Sequence, residues 1–303
     1  MNEATGIKEE ISSITLSDGA RVAARRWGGE KPARIIISHG NGLAIEGFRD
    51  FGMALAEEFE VIAFDMRNHG RSGPGAVLAD PWPRFLQDIP EIFDGITTHF
   101  GEKPTHGAFH SLSSASTILA QGQSPRPWRS LTLYEPPVPP VADAALLEQF
   151  LSLHAGLTER TRNRRRQFRD AGHLVTSLSR SPTFGGIGGA SLLRLAEAML
   201  MRTAANPEAP WELVCHPDME ANTFDTRRAC DFWEGLGGVT VPVQVVLGTA
   251  HGHDMPILIE TATCLAQSFG FDCAKVEGGG HLMQLQRPER SAEKALRFAR
   301  AHP

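Results

Sequence analysis

Ser111 has the strongest claim to do chemistry in this chain. It lies in the stretch T-H-G-A-F-H-S-L-S-S-A-S-T, residues 105–117. The short apolar run of Gly107, Ala108 and Phe109 reads as a buried strand that ends at His110-Ser111-Leu112, and the small residues that follow suit a tightly packed helix. A serine on a sharp corner between strand and helix is presented rather than buried. Its hydroxyl is a poor nucleophile at neutral pH, so it needs an adjacent base to take its proton. Ser113, with Ser111 and Ala115 as small neighbours two residues to either side, is the alternative nucleophile.

Other groups offer less. The segment His251-Gly252-His253-Asp254 brings two histidines and a carboxylate together, but no further ligand stands at a metal-binding spacing, and a surface loop is the simpler reading. No metal is expected. Within residues 160–169, Arg162, Arg165, Arg166 and Arg169 fall at helical spacing and predict one basic stripe. A solvated face explains such a stripe, and the sharper alternative is a site for an anionic part of a substrate. Cys215, Cys230, Cys264 and Cys273 show no C-x-x-C spacing, so buried thiols are expected rather than a zinc site or a disulfide framework. Trp82, Trp211 and Trp233 read as packing residues.

The elements that must position Ser111 can be read in order. Residues 11–14 and 21–26 are extended runs around Ser17-Asp18-Gly19, an antiparallel entry ribbon. Residues 33–38 are β-branched and apolar, as a strand buried on both faces must be, and lead into the glycine-rich loop His39-Gly40-Asn41-Gly42, where backbone N–H groups can face a ligand. Residues 47–59 read as a helix, 60–65 as a strand, 81–100 as a helix and 130–134 as a strand that ends in Glu135. Strand and helix alternating in this way imply a parallel sheet wrapped by helices, because parallel strands need crossovers. The alternation stops at Pro137. Up to residue 238 the pattern is mostly helical, at 144–157, 158–171, 191–204 and 226–235. Strand character returns at 239–247 and 271–276, with a helix after Pro256 and a closing helix over 287–300.

Composition narrows the class. With 303 residues of which 41% are hydrophobic, the chain can bury a sizeable core, and its formal charge of −5 gives no electrostatic footprint for nucleic acid. The acidic, polar start lacks the basic and apolar regions of a secretory signal, and no apolar run reaches spanning length. A soluble, cytoplasmic protein with no membrane partner is expected. Nothing in the spacing sets an oligomeric state.

Five segments in order carry a resemblance: I-I-I-S-H-G-N-G, F-D-M-R-N-H-G-R-S, F-H-S-L-S-S, L-T-L-Y-E-P-P and E-G-G-G-H-L-M-Q-L-Q-R-P-E. Together they resemble an α/β-hydrolase with a helical cap. The resemblance implies an α/β fold with a mostly parallel central sheet, a core in two parts at 1–137 and 239–303, and a helical cap inserted at 138–238.

It also implies a site. Ser111 corresponds to the nucleophile and His281, after Gly278-Gly279-Gly280, to the base; the backbone amides of Leu112 and Asn41 correspond to the oxyanion hole. The Asn41 side chain could also point into the pocket, as in the haloalkane dehalogenases of this fold, although those use an aspartate nucleophile. His39 and Asp65 read as structural. The acid departs from the family pattern. Gly248 is followed by Thr249, Ala250 and His251, which leaves Asp254 further along that loop and Glu135 at the end of an earlier strand as the two candidates. The implied activity is esterase-like: hydrolysis of an ester, thioester, lactone or related acyl bond of a small molecule through an acyl-enzyme, without a cofactor. The rivals are a C–C bond hydrolase of a ring-cleavage diketone with the same triad, and a non-catalytic ligand-binding protein on a hydrolase scaffold.

Overall fold

The computed structural model describes residues 8–203, 208, 210–249 and 255–303. In chain order the first elements are strands β1 (Glu9–Thr15), β2 (Arg21–Trp27) and β3 (Arg34–Ser38), helix α1 (Arg49–Ala56), β4 (Glu60–Phe64), α2 (Trp82–Phe100), β5 (Thr105–His110), α3 (Leu112–Gln123) and β6 (Trp128–Tyr134). An insert follows, with α4 (Ala144–Arg162), β7 (Gln167–Phe168), α5 (Ala171–Leu178), α6 (Gly189–Ala198), β8 (Leu200–Arg202), β9 (Trp211–Leu213) and α7 (Pro217–Phe224). The core resumes with β10 (Val243–Gly248), α8 (Pro256–Phe269), β11 (Asp272–Val276), α9 (Met283–Gln286) and α10 (Pro288–Ala301).

Eight strands form one sheet in the order β1-β2-β4-β3-β5-β6-β10-β11. The β1–β2 and β2–β4 pairs are antiparallel and every other pair is parallel, as expected for an entry ribbon leading into crossover units. Every residue of β3, β4 and β5 is buried, because helices cover both faces of the sheet. The pleat divides them. Ile36 and Phe109 join the core under α2 and α3, while Ile35, Ile37 and Ala108 join the core under α1 and α10. The carboxyl ends of β3, β5, β6 and β10 therefore lie side by side, at the end of an open α/β sheet where ligands bind. Among the described residues no helix is long and apolar enough to cross a membrane, and no group of three or more His, Cys, Asp or Glu is placed to hold a metal ion.

The insert departs from the all-helical expectation. β7, β9 and β8 form a small antiparallel sheet. The helix expected at 158–171 does not exist as such: α4 runs unbroken from Ala144 to Arg162, and the chain then turns at Asn163 into β7. Thr158 sits inside α4, with its Oγ1 donating back to the His154 carbonyl at 2.9 Å. The basic run is thus not one helical stripe. Residues 163–166 carry no apolar face to bury, while Phe168 is 1% exposed and anchors the turn in the core. The helix expected over 191–204 ends at Ala198, and 226–235 forms two short 3-10 segments, Arg227–Phe232 and Glu234–Gly238.

Phe109 occupies a place in the corner where a small residue is usual, two residues before Ser111. Its ring packs between Phe64 and Trp128, with centroids at 6.3 and 5.7 Å. Room comes from Gly107, one repeat back on the same strand face: a Cβ there would collide with the Phe109 ring and approach Leu131 at 2.8 Å. Gly107→Ala is expected to destabilise the fold by on the order of 1–3 kcal/mol through overpacking. A urea titration would check this, and an unchanged midpoint would show that the ring can give way.

Candidate active site

Ser111 joins β5 to α3 with φ 50 and ψ −114. Among the described residues only Asn68, Ser111 and Glu135 are non-glycine residues at positive φ, at 63°, 50° and 41°. Such backbone is strained by about 1–3 kcal/mol per residue and persists only where the surroundings hold it. Here they do: Ser111 N–H donates to the Tyr134 carbonyl at 2.9 Å, and the Ser111 carbonyl accepts from Ala115 N–H at 2.9 Å and Ser114 Oγ at 2.6 Å. Ser113 lies elsewhere. It is buried, and its Oγ donates to the His110 carbonyl at 3.0 Å while accepting from His110 N–H at 3.1 Å.

His281 stands on the loop after β11. Its Nε2 is 3.2 Å from Ser111 Oγ, and its Nδ1 is 2.7 Å from Glu135 Oε2. A carboxylate only accepts, so Nδ1 carries the proton and the Nε2 lone pair faces the serine hydroxyl. Glu135 is wholly buried at the end of β6, where its N–H donates to the Val246 carbonyl at 3.0 Å and its Oε1 accepts from Gly248 N–H at 2.8 Å. Gly248 itself abuts the carbonyls of Gly279 and Gly280 so closely that a Cβ would clash, which lets the G-G-G-H loop reach the sheet end. His110 Nε2–H donates to the His281 carbonyl at 2.9 Å and so braces the loop from beneath. Asp254, His251 and His253 lie outside the described residues.

The loop after β3 accounts for the oxyanion candidates. Gly42 N–H donates to His69 Nε2 at 2.9 Å, Leu43 N–H to the Gly40 carbonyl at 3.3 Å and Ile45 N–H to Asp65 Oδ1 at 2.8 Å. The N–H groups of Asn41 and Leu112 have no acceptor among the described residues, and both residues line the pocket above Ser111. Gly40 permits this approach, since a Cβ would meet His110 Nδ1 at 2.9 Å and Ser111 Cβ at 3.0 Å. The Asn41 side-chain Nδ2 donates to the Glu220 carbonyl at 2.8 Å. His39 and Asp65 are built into the scaffold, His39 accepting Met66 N–H at 3.1 Å and Asp65 also accepting Arg71 N–H at 3.0 Å.

These groups open into a pocket of about 440 Å³ between the sheet end and the insert. His154, Leu157 and Thr161, spaced three or four apart, present one face of α4 to it, Arg164 reaches it from the turn after α4, and Glu220 and Phe224 of α7 reach it from beside. None of these insert residues carries a local signal of pocket lining. Trp82 contributes as well as packing, its Nε1 donating to the Thr223 carbonyl at 3.2 Å. Glu220 binds Arg164 Nη1 at 2.5 and 2.8 Å and sits against Gly42, where a Cβ would meet it at 2.5 Å. The insert thereby touches the loop after β3 directly.

Four buried histidines are expected to make the fold acid-sensitive. Burial holds His69 down at about 3 and His106 and His154 at about 4, and it lowers His110 well below the ordinary 6.5. The unfolded chain, with ordinary histidines, binds protons below pH 6.5 that the folded chain refuses, so stability falls as pH drops from about 6.5 towards about 4. His69, His106 and His154 are each expected to cost roughly 1–2 kcal/mol between pH 7 and pH 5, and His110 shifts the balance in the same direction. Urea midpoints at the two pH values provide the check, and equal midpoints would contradict the burial.

A mostly parallel sheet of this order, with a serine on a strained corner after its central strand, is the architecture of α/β-hydrolases. The model of the alpha/beta hydrolase family matches residues 35–294, and the chain belongs to that family. Solved structures agree on the fold. E-2-(acetamidomethylene)succinate hydrolase superposes with a TM-score of 0.72 at 16% identity, over 97% of this chain and 100% of that one. The thioesterase domain from the curacin biosynthetic pathway gives 0.67 at 18% identity, over 95% and 99%. The 2-hydroxy-6-oxo-6-phenylhexa-2,4-dienoate hydrolase of a Rhodococcus species gives 0.65 at 18% identity, over 97% and 99%. Among curated proteins, the dihydrolipoyllysine-residue acetyltransferase component of the acetoin cleaving system of Pseudomonas putida is 30% identical over 111 residues. That match spans 36% of this chain and 29% of the length of that protein.

Proposed function

We propose that this protein is a cofactor-independent serine hydrolase that cleaves an ester, thioester or related acyl bond of a small molecule through an acyl-enzyme. The observation that carries the reading is the unbroken relay from Ser111 Oγ to His281 Nε2 at 3.2 Å and from His281 Nδ1 to Glu135 Oε2 at 2.7 Å. Ser111 attacks the carbonyl carbon as His281 Nε2 takes its proton. The tetrahedral oxyanion is held by the N–H groups of Leu112 and Asn41. His281 then gives the proton to the leaving alcohol or thiol. Water repeats the sequence: its proton goes to His281, its oxygen to the acyl carbon, and Ser111 leaves with the proton returned.

Glu135, rather than Asp254, is the acid in this reading, orienting the imidazole and stabilising its cation without taking the proton. Residues 138–238 act as the cap that covers the pocket. The relatives whose names include a hydrolase or a thioesterase are consistent with acyl chemistry. A fluorophosphonate probe tests the reading: it is expected to form an adduct on Ser111 of the folded protein and to abolish turnover of short-chain aryl esters. Folded protein that gives neither adduct nor turnover would point instead to a ligand-binding protein on this scaffold.

A further inference from the structure

Arg160 and the pocket it lines say something about the substrate. The arginines around it are already engaged. Arg162 Nη2 donates to Asn222 Oδ1 at 2.9 Å, Arg164 Nη1 binds both oxygens of Glu220 at 2.8 and 2.5 Å, Arg165 Nη1 lies 2.6 Å from His173 Nε2, and Arg166 Nη2 lies 3.1 Å from Glu212 Oε2. Arg160 has no hydrogen-bond or ion-pair partner among the described residues, and it lines the pocket above Ser111, whereas Arg169 does not.

The charges of the pocket then leave a remainder. Arg164 and Glu220 neutralise each other, Glu135 is buried against His281, and burial keeps His154 neutral, with its pKa at about 4. Among the described lining residues, the uncompensated charge is the Arg160 guanidinium. Much of the remaining wall is apolar, from Leu112, Leu157, Phe184, Phe224, Met255 and Leu282. Arg160 is itself exposed, so solvent screens part of its attraction for an anion, but its guanidinium fork matches the two oxygens of a carboxylate that extends to it from the apolar cavity.

We infer that the substrate carries a carboxylate besides the scissile acyl bond, and that Arg160 on α4 binds it. This rests on the serine-hydrolase reading of the same pocket. The test compares 4-nitrophenyl hydrogen adipate with the neutral 4-nitrophenyl hexanoate. The wild type is expected to prefer the anionic ester in kcat/KM by about fivefold, the upper range for a solvent-exposed ion pair. Arg160→Gln should bring the ratio to within about twofold, Arg160→Lys should keep part of it, and Arg169→Gln should keep all of it. Equal kcat/KM in the wild type, or a preference that survives Arg160→Gln, would overturn the inference.

A binding arm separates this outcome from failure of the chemistry. The inert 4-nitroanilides of the same two acids are titrated calorimetrically into Ser111→Ala protein, with and without Arg160→Gln. Tighter binding of the anionic anilide that requires Arg160 supports the carboxylate site even if neither ester turns over. Equal binding of the two anilides overturns it, whatever the esters do.

Discussion

Ser111→Ala is expected to lower kcat on aryl esters by about 10⁴ to 10⁶-fold, leaving only the residual rate supplied by binding and by the oxyanion donors. The fold should persist. The hydroxyl's hydrogen bond is to His281 alone, whereas the corner is held by the backbone links of residue 111 to Tyr134 and Ala115. Alanine removes the nucleophile without easing the positive φ of 50°. Ser113→Ala forms the comparison: it removes a hydroxyl shared with the His110 backbone and so should lower stability while chemistry continues in the folded fraction. Turnover of Ser111→Ala equal to wild type would remove Ser111 from the mechanism. Loss of turnover in both variants with both folded would leave the nucleophile undecided between them.

Glu135→Gln is expected to lower kcat by about 10⁴-fold, and the structure explains why a near-isosteric amide should be so harmful. Gly248 N–H donates to Oε1 at 2.8 Å, so the amide carbonyl must face Gly248 and the NH₂ must face His281 Nδ1. Nδ1 then has to accept. The imidazole proton moves to Nε2, which can no longer take the proton of Ser111. Melting should change little, because both contacts keep a partner. Asp254→Asn is expected to leave kcat/KM within about threefold of wild type, the usual effect of losing a polar group outside the relay. The opposite pattern, with Asp254→Asn inactive and Glu135→Gln active, would move the acid to the loop after β10.

Much of this architecture was legible in residue patterns, for identifiable reasons. Strands buried on both faces read as β-branched runs, so β3 and β4 were visible at 33–38 and 60–65, and the glycines that closely approaching loops demand sat at Gly40, Gly42 and Gly278 to Gly280. The insert was less legible. α4 continues through Thr158, whose hydroxyl bonds back to its own helix, and β7, β8 and β9 are two or three residues long, too short for any period to register. What accommodates Phe109 in the corner, Gly107 two residues back on the same face of β5, shows only once the strand is built.

By itself the sequence determined the class of fold, the order of its segments and a short list of chemical groups, because periodicity and turn chemistry are local. Tertiary structure decided which of those groups meet. Glu135 and His281 are 146 residues apart, and Ser111 and His281 are 170 apart. They converge because parallel pairing places the ends of β5, β6 and β10 side by side, so that each strand delivers one residue, or one supporting loop, to the same edge. The freedom of Arg160 is decided in the same way. Five arginines between positions 160 and 166 look alike in one dimension, and only the packing of α4 against its neighbours shows which of them have acceptors and which faces the pocket without one.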